Sequence, residues 1–207
     1  MKTANEKQRI IVRKLTSHSK AETFTVKQDE KLTLVLIAVS GIAYSLTVEL
    51  VGKKAEARIL GILIGRKQAE ITLHTKQIHT AAETMSDLHI KSVLFDRAIL
   101  AYAGSIRIEK AAQQSNAYQR NDNLLLSGEA KAESKPALEI LANEVRCTHG
   151  ATLGKIDPEE LFYLESRGLN QAKAQKIIIE GYFLSLLEKI PDETVKKQLV
   201  KTLGVIL

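Results

Sequence analysis

The residues best suited to chemistry stand together near position 150, where the only cysteine, Cys147, precedes His149 by two positions. Residues i and i+2 of a strand point to one face, so the thiol and the imidazole would lie side by side, with about 6–7 Å between their Cα atoms. Thiolate and imidazole both bind iron–sulfur species or zinc. From composition alone, a small buried cysteine beside a hydrogen-bonded structural histidine is the alternative, because free cysteine is commonly a core residue.

Two further histidines delimit the segment 79–89, which also contains Glu83, Ser86 and Asp87. The spacings match no zinc template, whereas hydroxyl and carboxylate groups of this kind often serve hydrogen bonds in turns. We therefore predict a structural role for this segment. His74 is expected on the solvated face of its strand.

The sequence lacks the motifs of the common catalytic classes. It contains no Gly-x-x-x-x-Gly-Lys-Ser/Thr loop for ATP, no Gly-x-Ser-x-Gly elbow and no His-Glu-x-x-His helix. Paired carboxylates of the kind that a solenoid glycosidase needs are not evident either. These absences predict a protein that is not itself an enzyme.

Charge raises nucleic acid as a partner, because 30 basic and 24 acidic residues give a net charge of +6. The basic residues are scattered along the chain, however, and aromatic residues make up only 4% of it. A surface for stacking bases needs aromatic side chains interleaved with positive charge. We therefore expect no nucleic-acid partner.

Several features bear on the compartment. A single cysteine excludes a disulfide within the chain, and residues 1–7 have no apolar segment of a signal peptide behind them. The stretch 32–51 is long enough for a membrane span, but apolar and polar residues alternate from 42 to 50, as in a strand with one wet face. We expect a cytoplasmic protein with no membrane partner.

Strands dominate the elements that must position the candidate site. From about residue 23 to 147, apolar residues recur at every second position in short runs, separated by turn-like pieces such as Ser40-Gly41 and Gly52-Lys53. A sandwich, a barrel and a β-solenoid all fit many strands without intervening helices. Small inward residues and strand starts roughly 10–15 residues apart favour the solenoid.

Helical signals begin only after residue 155. Asp157 and Pro158 are suited to begin a first helix, and Gly168 to end it. A second helix is expected from Asn170 to Pro191, and a third after Asp192. The residues expected on adjacent turns of the second helix are Ala174, Ile177, Ile178, Gly181, Tyr182 and Ser185.

Three sequence blocks resemble the SufB/SufD family of scaffold components of the Suf iron–sulfur cluster assembly machinery. They read SDLHIKSVL at 86–94, SNAYQ at 115–119 and CTHGAT at 147–152, and the resemblance extends from about residue 79 to about residue 190. The resemblance implies a mainly β fold, a right-handed parallel β-helix, with a core domain at 1–152 and a small C-terminal α-helical domain at 153–207. In such a coil four asparagines are expected at turns: Asn116, Asn121, Asn123 and Asn143.

The resemblance also implies a site. In SufD-type members the histidine of the CTHGAT-like motif helps build the nascent cluster at the interface with SufB, which assigns that role to His149, with Cys147 as the weaker candidate. SufB members carry a cysteine where this chain has Ala130, and a glutamate where it has Gly150. The chain is thus SufD-like. Two ligands do not complete a cluster that usually takes four, so a transient Fe–S cluster, not a stably bound cofactor, is expected.

The partners implied are a SufB-like scaffold protein and a SufC-type ABC ATPase, with a homodimer possible when the partner is absent. The resemblance locates the ATPase dock in the helical region. This location is supported by the apolar side chains of that region, which offer more apolar surface than a small domain can bury. The docking residues expected are Asp157, Leu161, Phe162, Tyr163, Arg167, Gly168 and Tyr182, with Phe183 adding to the exposed surface.

A solenoid that serves only as a structural or adhesion module is the alternative function. Family members usually carry an additional N-terminal helical region, whereas this chain enters strand-like sequence at about residue 8. The chain is either a short-form member or a fragment.

Overall fold

Eleven strands and three helices make up residues 7–18 and 20–206, the part of the chain that this computed structural model describes. The strands are β1 (Lys7–Leu15), β2 (Ala21–Val26), β3 (Glu30–Ala38), β4 (Ile42–Leu50), β5 (Glu56–Gly65), β6 (Glu70–His79), β7 (Met85–Leu94), β8 (Ile99–Ile108), β9 (Asn116–Leu125), β10 (Lys131–Ile140) and β11 (Arg146–Lys155). The helices are α1 (Pro158–Ser166), α2 (Gln171–Leu187) and α3 (Glu193–Ile206).

The chain winds between two parallel sheets. Sheet A has the order β1-β3-β5-β7-β9-β11, and sheet B has the order β10-β8-β6-β4-β2. Consecutive strands therefore belong to opposite sheets, and each strand pairs in parallel with the strands one coil before and after it. This is the predicted parallel β-helix. The predicted division after residue 152 falls within β11, which continues to Lys155.

The two sheets differ in how much water they meet, and their sequences reflect this. In β5 nearly every side chain from Ala57 to Gly65 is buried, whereas in β4 buried and more exposed side chains alternate. A parallel strand covered on both faces is apolar throughout, and a strand with one wet face alternates. Sheet A lies between the interior of the coil, here called the lumen, and the helices.

The lumen changes character along its length. Leu, Ile and Val side chains fill the early coils. Later coils bury polar groups, among them Gln77 on β6 and Gln119 on β9. Gly104 on β8 makes room for Gln119 and for the Tyr102 hydroxyl, because a Cβ there would lie 2.3 Å from that hydroxyl and 2.5 Å from Nε2 of Gln119. The core is thus apolar in the early coils and mixes apolar with polar side chains in the later ones.

Most corners of the coil use residues other than the asparagines predicted there. Asn121 and Asn123 lie within β9 and point into the lumen, where they are buried, and Asn116 begins that strand; Asn143 lies in a bend. The left-handed backbone falls instead on charged residues and one glutamine: Asp29, Lys54, Lys67, Glu83, Asp96 and Gln114. The prediction holds for Asn143 and was wrong for Asn121 and Asn123, because asparagine tolerates turns but also completes hydrogen bonds inside a polar core.

The helices cover the outer face of sheet A. Asp157 caps α1 by accepting a hydrogen bond from the Glu159 backbone N–H, and Asn170 caps α2 in the same way from Lys173. The residues of α2 that are buried are Ala174, Ile179, Phe183, Leu186 and Leu187. Of the residues expected on adjacent turns of this helix, Ala174 is buried, whereas Ile177 and Gly181 are exposed. Within the described residues, no helix has both the length and the apolar composition to span a bilayer.

Candidate functional site

Cys147 and His149 both point to the lumen side of β11. In the parallel register with β9, Cys147 pairs with Ala117 and His149 pairs with Gln119, and both of those side chains are buried in the lumen. Neighbouring residues of one rung share a face in a parallel sheet. The structure therefore brings the two residues to one face, as their spacing predicts.

Cys147 is a half-buried thiol in apolar surroundings. It packs against a small cluster that includes Ile106, Ile108 and Ala117. Burial raises the pKa of its thiol above the ordinary value, so the protonated form dominates at neutral pH. A thiol is a weak nucleophile and a weak metal ligand until it loses its proton.

His149 is exposed to solvent. The residue that pairs with it on β9, Gln119, is an unusual buried polar group. The Gln119 side chain is 1% exposed, and its Oε1 has no hydrogen-bond partner among the described residues. The imidazole thus lies at the mouth of a polar lumen. Sequence reasoning did not identify Gln119, although a glutamine at an inward strand position is itself a signal.

The coil is open beyond these two residues. β11 is the edge strand of sheet A and β10 is the edge strand of sheet B. On its outer side neither strand pairs with any other strand of the described residues, so its backbone groups there have no sheet partner. Four large apolar side chains of this end are between 37% and 59% exposed: Leu138, Ile140, Leu141 and Leu153. An unpaired sheet edge beside clustered apolar side chains has the character of an interaction surface.

The site offers few ligands by itself. Among residues 7–18 and 20–206, no three His, Cys, Asp or Glu side chains come together as they would around a metal ion. Cys147 and His149 supply one sulfur and one nitrogen, which is half of a four-ligand set.

The residues predicted to dock an ATPase divide into two locations. Six of them lie on or at the ends of α1, which has no buried residue: Asp157, Leu161, Phe162, Tyr163, Arg167 and Gly168. Phe162 is 71% exposed and Tyr163 is 56% exposed, with the Arg167 guanidinium 5.2 Å from the Tyr163 ring centroid. Gly168 has a φ of 91°, which ends the helix at little steric cost.

Tyr182 lies elsewhere. It packs on sheet A together with the fully buried Phe183, and its hydroxyl donates to the Asp122 carbonyl oxygen at 2.7 Å. The expectation that Tyr182 and Phe183 add to the exposed apolar surface was therefore wrong. Their rings fill the space between the helix and the sheet.

The segment 79–89 has the structural role predicted for its first histidine. His79 is fully buried in the lumen, with Nδ1 2.7 Å from the Thr84 hydroxyl and Nε2 2.8 Å from the Ser86 hydroxyl. Burial lowers the pKa of His79 to about 4. The imidazole is therefore neutral at physiological pH and bridges the two hydroxyls.

A charged cluster under α2 was not predicted from the sequence. The Asp122 carboxylate on β9 is buried and accepts hydrogen bonds from His89, Arg120 and Thr152, at 2.7, 2.9 and 2.7 Å. The visible signal is a pair of charges, Arg120 and Asp122, on the outer face of a strand in sheet A, where β5, two coils earlier, has Leu60 and Ile62 at the corresponding positions. Hydrogen bonds hold the pKa of Asp122 well below its usual range although burial opposes this.

Comparison with known proteins identifies one family across most of the chain. The family model described as "SUF system FeS cluster assembly, SufBD core domain" matches residues 11–182. The chain is 33% identical over 161 residues to the iron–sulfur cluster assembly protein SufD of Escherichia coli, which covers 78% of this chain and 38% of that protein. It is 37% identical over 138 residues to a SufBD family protein of Synechocystis, covering 67% of this chain and 30% of the relative.

A third relative, SufD of Bacillus subtilis, is 32% identical over 142 residues, covering 69% of this chain and 32% of that protein. The chain thus spans about a third of the length of these curated relatives.

Proposed function

Because the chain belongs to the SufB/SufD family and is SufD-like, we propose that it is a scaffold subunit of a Suf iron–sulfur cluster assembly complex. In this role it catalyses no reaction itself. It pairs with a SufB-like protein, works with a SufC-type ABC ATPase and acts in the cytoplasm. Neither nucleic acid nor membrane takes part.

The observation that carries the proposal is the location of Cys147 and His149 on an edge strand at the open end of the coil. A SufB-like protein would pair with this end by extending the two sheets, since β10 and β11 leave their outer backbone groups unpaired. Exposed Leu138, Ile140 and Leu153 beside those edges supply apolar area to such an interface. A second copy of the chain would use the same surface when the partner is absent.

The cluster in this proposal is cargo and not a resident cofactor. His149 is exposed and holds or positions the nascent cluster, and Cys147 assists it. The remaining ligands come from the SufB-like partner, because the described part of this chain brings no third ligand near the two. Pairing therefore completes the site, and separation of the subunits exposes it.

Helix α1 is the proposed dock for the ATPase. Phe162 and Tyr163 are aromatic and mostly exposed, and the surface is completed by Asp157, Leu161, Arg167 and Gly168. Aromatic residues and arginine are the types that interface hot spots favour. Tyr182 supports this dock indirectly. It fixes α2, on which α1 packs, to sheet A.

Co-expression with SufB-like and SufC-like proteins from the same genome tests the proposal. We expect one complex, whose mass by light scattering after size exclusion accounts for all three chains. Leu138→Glu should release the SufB-like chain, because it puts a charge into an apolar interface. Exposed Ile99, on the outer face of sheet B, provides the matched control Ile99→Glu. A chain that elutes alone in every co-expression would contradict the proposal.

A further inference from the structure

A line of hydrogen bonds runs from α2 to the strand that carries the candidate site. The Tyr182 hydroxyl on α2 donates to the backbone carbonyl of Asp122 on β9 at 2.7 Å. The Asp122 carboxylate in turn accepts from the Thr152 hydroxyl on β11 at 2.7 Å. Thr152 is three residues after His149 on the same strand.

Asp122 is held as a charged acceptor at the centre of this line. Its side chain is only 7% exposed, and Arg120 and His89 also donate to it. Since an ionised carboxylate only accepts, His89 must donate from Nε2, and its buried Nδ1 finds no partner within residues 7–18 and 20–206. Hydrogen bonds to charged groups are about twice as strong as neutral ones.

The helix side of the line is also fixed. The Lys91 ammonium on β7 lies 4.2 Å from the centroid of the Tyr182 ring. It donates to the Tyr182 carbonyl oxygen at 2.7 Å and to the Ser185 hydroxyl at 2.6 Å. Tyr182 thus contacts a cation from β7 and the backbone of β9 at the same time. A movement of α2 therefore acts directly on β9 at Asp122.

β11 depends on such contacts more than inner strands do. It is an edge strand with one neighbour, β9, and most of its side chains are exposed. Edge strands open locally at low free energy unless side chains hold them. The Thr152 hydroxyl gives this pairing a charge-assisted side-chain hydrogen bond, to the Asp122 carboxylate on the outer face of sheet A.

We propose that Asp122 is a positioning residue that couples helix α2 to strand β11, and so sets how firmly the strand of Cys147 and His149 is held at the open end of the coil. Force or displacement at the helices reaches β11 through Tyr182, Asp122 and Thr152. The consequence for cluster assembly rests on the proposed function. The coupling itself does not, and it is measurable in the chain alone.

Hydrogen–deuterium exchange of the β11 amides, residues 146–155, tests the coupling, with the amides of β3 as internal reference. Thr152→Val keeps the side-chain shape and removes the hydroxyl, so we expect β11 to exchange about tenfold faster while β3 is unchanged. Thr152→Ser should restore the slow exchange. Tyr182→Phe removes one hydroxyl from α2 and should accelerate β11 exchange about fivefold.

The control and the double variant separate coupling from general loosening. Tyr163→Phe removes a hydroxyl from exposed α1 and should leave β11 exchange as it is. If the line is continuous, Tyr182→Phe combined with Thr152→Val accelerates exchange less than the product of the two single effects. Independent effects that multiply, equal acceleration of β3 and β11, or no acceleration of β11 in either single variant would each overturn the proposal.

A second arm distinguishes this inference from the proposed function. Addition of the SufC-like ATPase should change β11 exchange in the unmodified chain and should change it much less in Thr152→Val. An ATPase that does not bind contradicts the proposed dock and leaves the result for the isolated chain intact. An ATPase that binds equally and changes β11 exchange equally in both chains would contradict the coupling.

Discussion

Cys147 and His149 share one face of β11 but differ in exposure, and this difference assigns them different chemistry. The half-buried thiol has a raised pKa and stays protonated at neutral pH, whereas the imidazole is directly accessible. An accessible imidazole can meet a cluster delivered at the interface without rearrangement. We therefore expect Cys147→Ser to reduce cluster build-up less than His149→Ala does.

His79 provides a test of the polar lumen through pH. Burial lowers its pKa from 6.5 to about 4, so the unfolded chain binds a proton that the folded chain rejects. The free energy of unfolding is then highest above pH 6.5 and falls by about 3 kcal/mol as pH drops towards 4. Carboxylates with lowered pKa, such as Asp122, also stabilise the folded chain, and their contribution to the free energy of unfolding is lost mainly below pH 4.5.

Denaturant unfolding between pH 7 and pH 4.5 measures this dependence. His79→Gln should flatten the slope, because glutamine does not titrate, even though the variant is less stable at pH 7. His74→Gln, at an exposed position on the same strand, should keep the slope of the unmodified chain. If the free energy of unfolding changes equally with pH in all three proteins, His79 is not a neutral, buried imidazole in the folded chain.

At the scale of elements, α1 is the helix whose role is least structural. No residue of α1 is buried, so its aromatic side chains contribute little to the fold. Phe162→Asp should weaken binding of the SufC-like ATPase by about 2–4 kcal/mol, the range of an interface hot spot. Titration calorimetry with the purified ATPase measures this, and circular dichroism should show an unchanged fold.

Val51→Asp is the matched control for that variant, because Val51 is also an exposed apolar residue but lies at a corner of the coil. Its ATPase affinity should equal that of the unmodified chain. A Phe162→Asp variant that binds as tightly as the Val51→Asp variant would locate the dock outside α1.

The strands and caps were predictable from the sequence because they depend on local patterns. Alternation marked the strands of sheet B, and Asp157, Pro158 and Gly168 marked the ends of α1. The assignment of each strand to one of the two sheets, and the parallel pairing, depend on contacts between residues distant in the sequence. Only the resemblance to a known family selected the β-helix. The side of α2 that packs on sheet A could not be predicted, because apolar residues occupy nearly all sides of this helix and the sequence does not single out one of them.

The candidate site shows the same division. The spacing of Cys147 and His149 predicts a shared face, and the register with Ala117 and Gln119 bears this out. The contribution of Asp122 was not predictable, since its three side-chain donors come from β7, β9 and β11. Residues 31–33 positions apart meet only because one coil stacks on the next.

At the scale of the whole molecule, the helices are fastened to sheet A by an apolar layer. Phe183 is fully buried between α2 and side chains such as Leu60 and Ile62. Phe183→Ala should lower the free energy of unfolding by about 3–5 kcal/mol, because it leaves a cavity in that layer. Phe162→Ala removes an equally large but exposed ring and should change it by less than about 0.5 kcal/mol.

Chemical denaturation followed by circular dichroism compares these two variants. If Phe183→Ala proves no more costly than Phe162→Ala, the helices do not pack on the sheet as described. The layer also explains how a small helical region keeps its place without a core of its own.

Iron–sulfur cluster build-up on the purified complex, with His149→Ala in place of the unmodified chain, tests the central claim most directly. The substitution should change the free energy of unfolding by less than about 0.5 kcal/mol, because the side chain is exposed, and should leave complex assembly intact. Cluster absorbance and bound iron should fall at least about tenfold, whereas His74→Ala, another exposed histidine, should match the unmodified complex. Normal cluster build-up on a fully assembled His149→Ala complex would contradict the account.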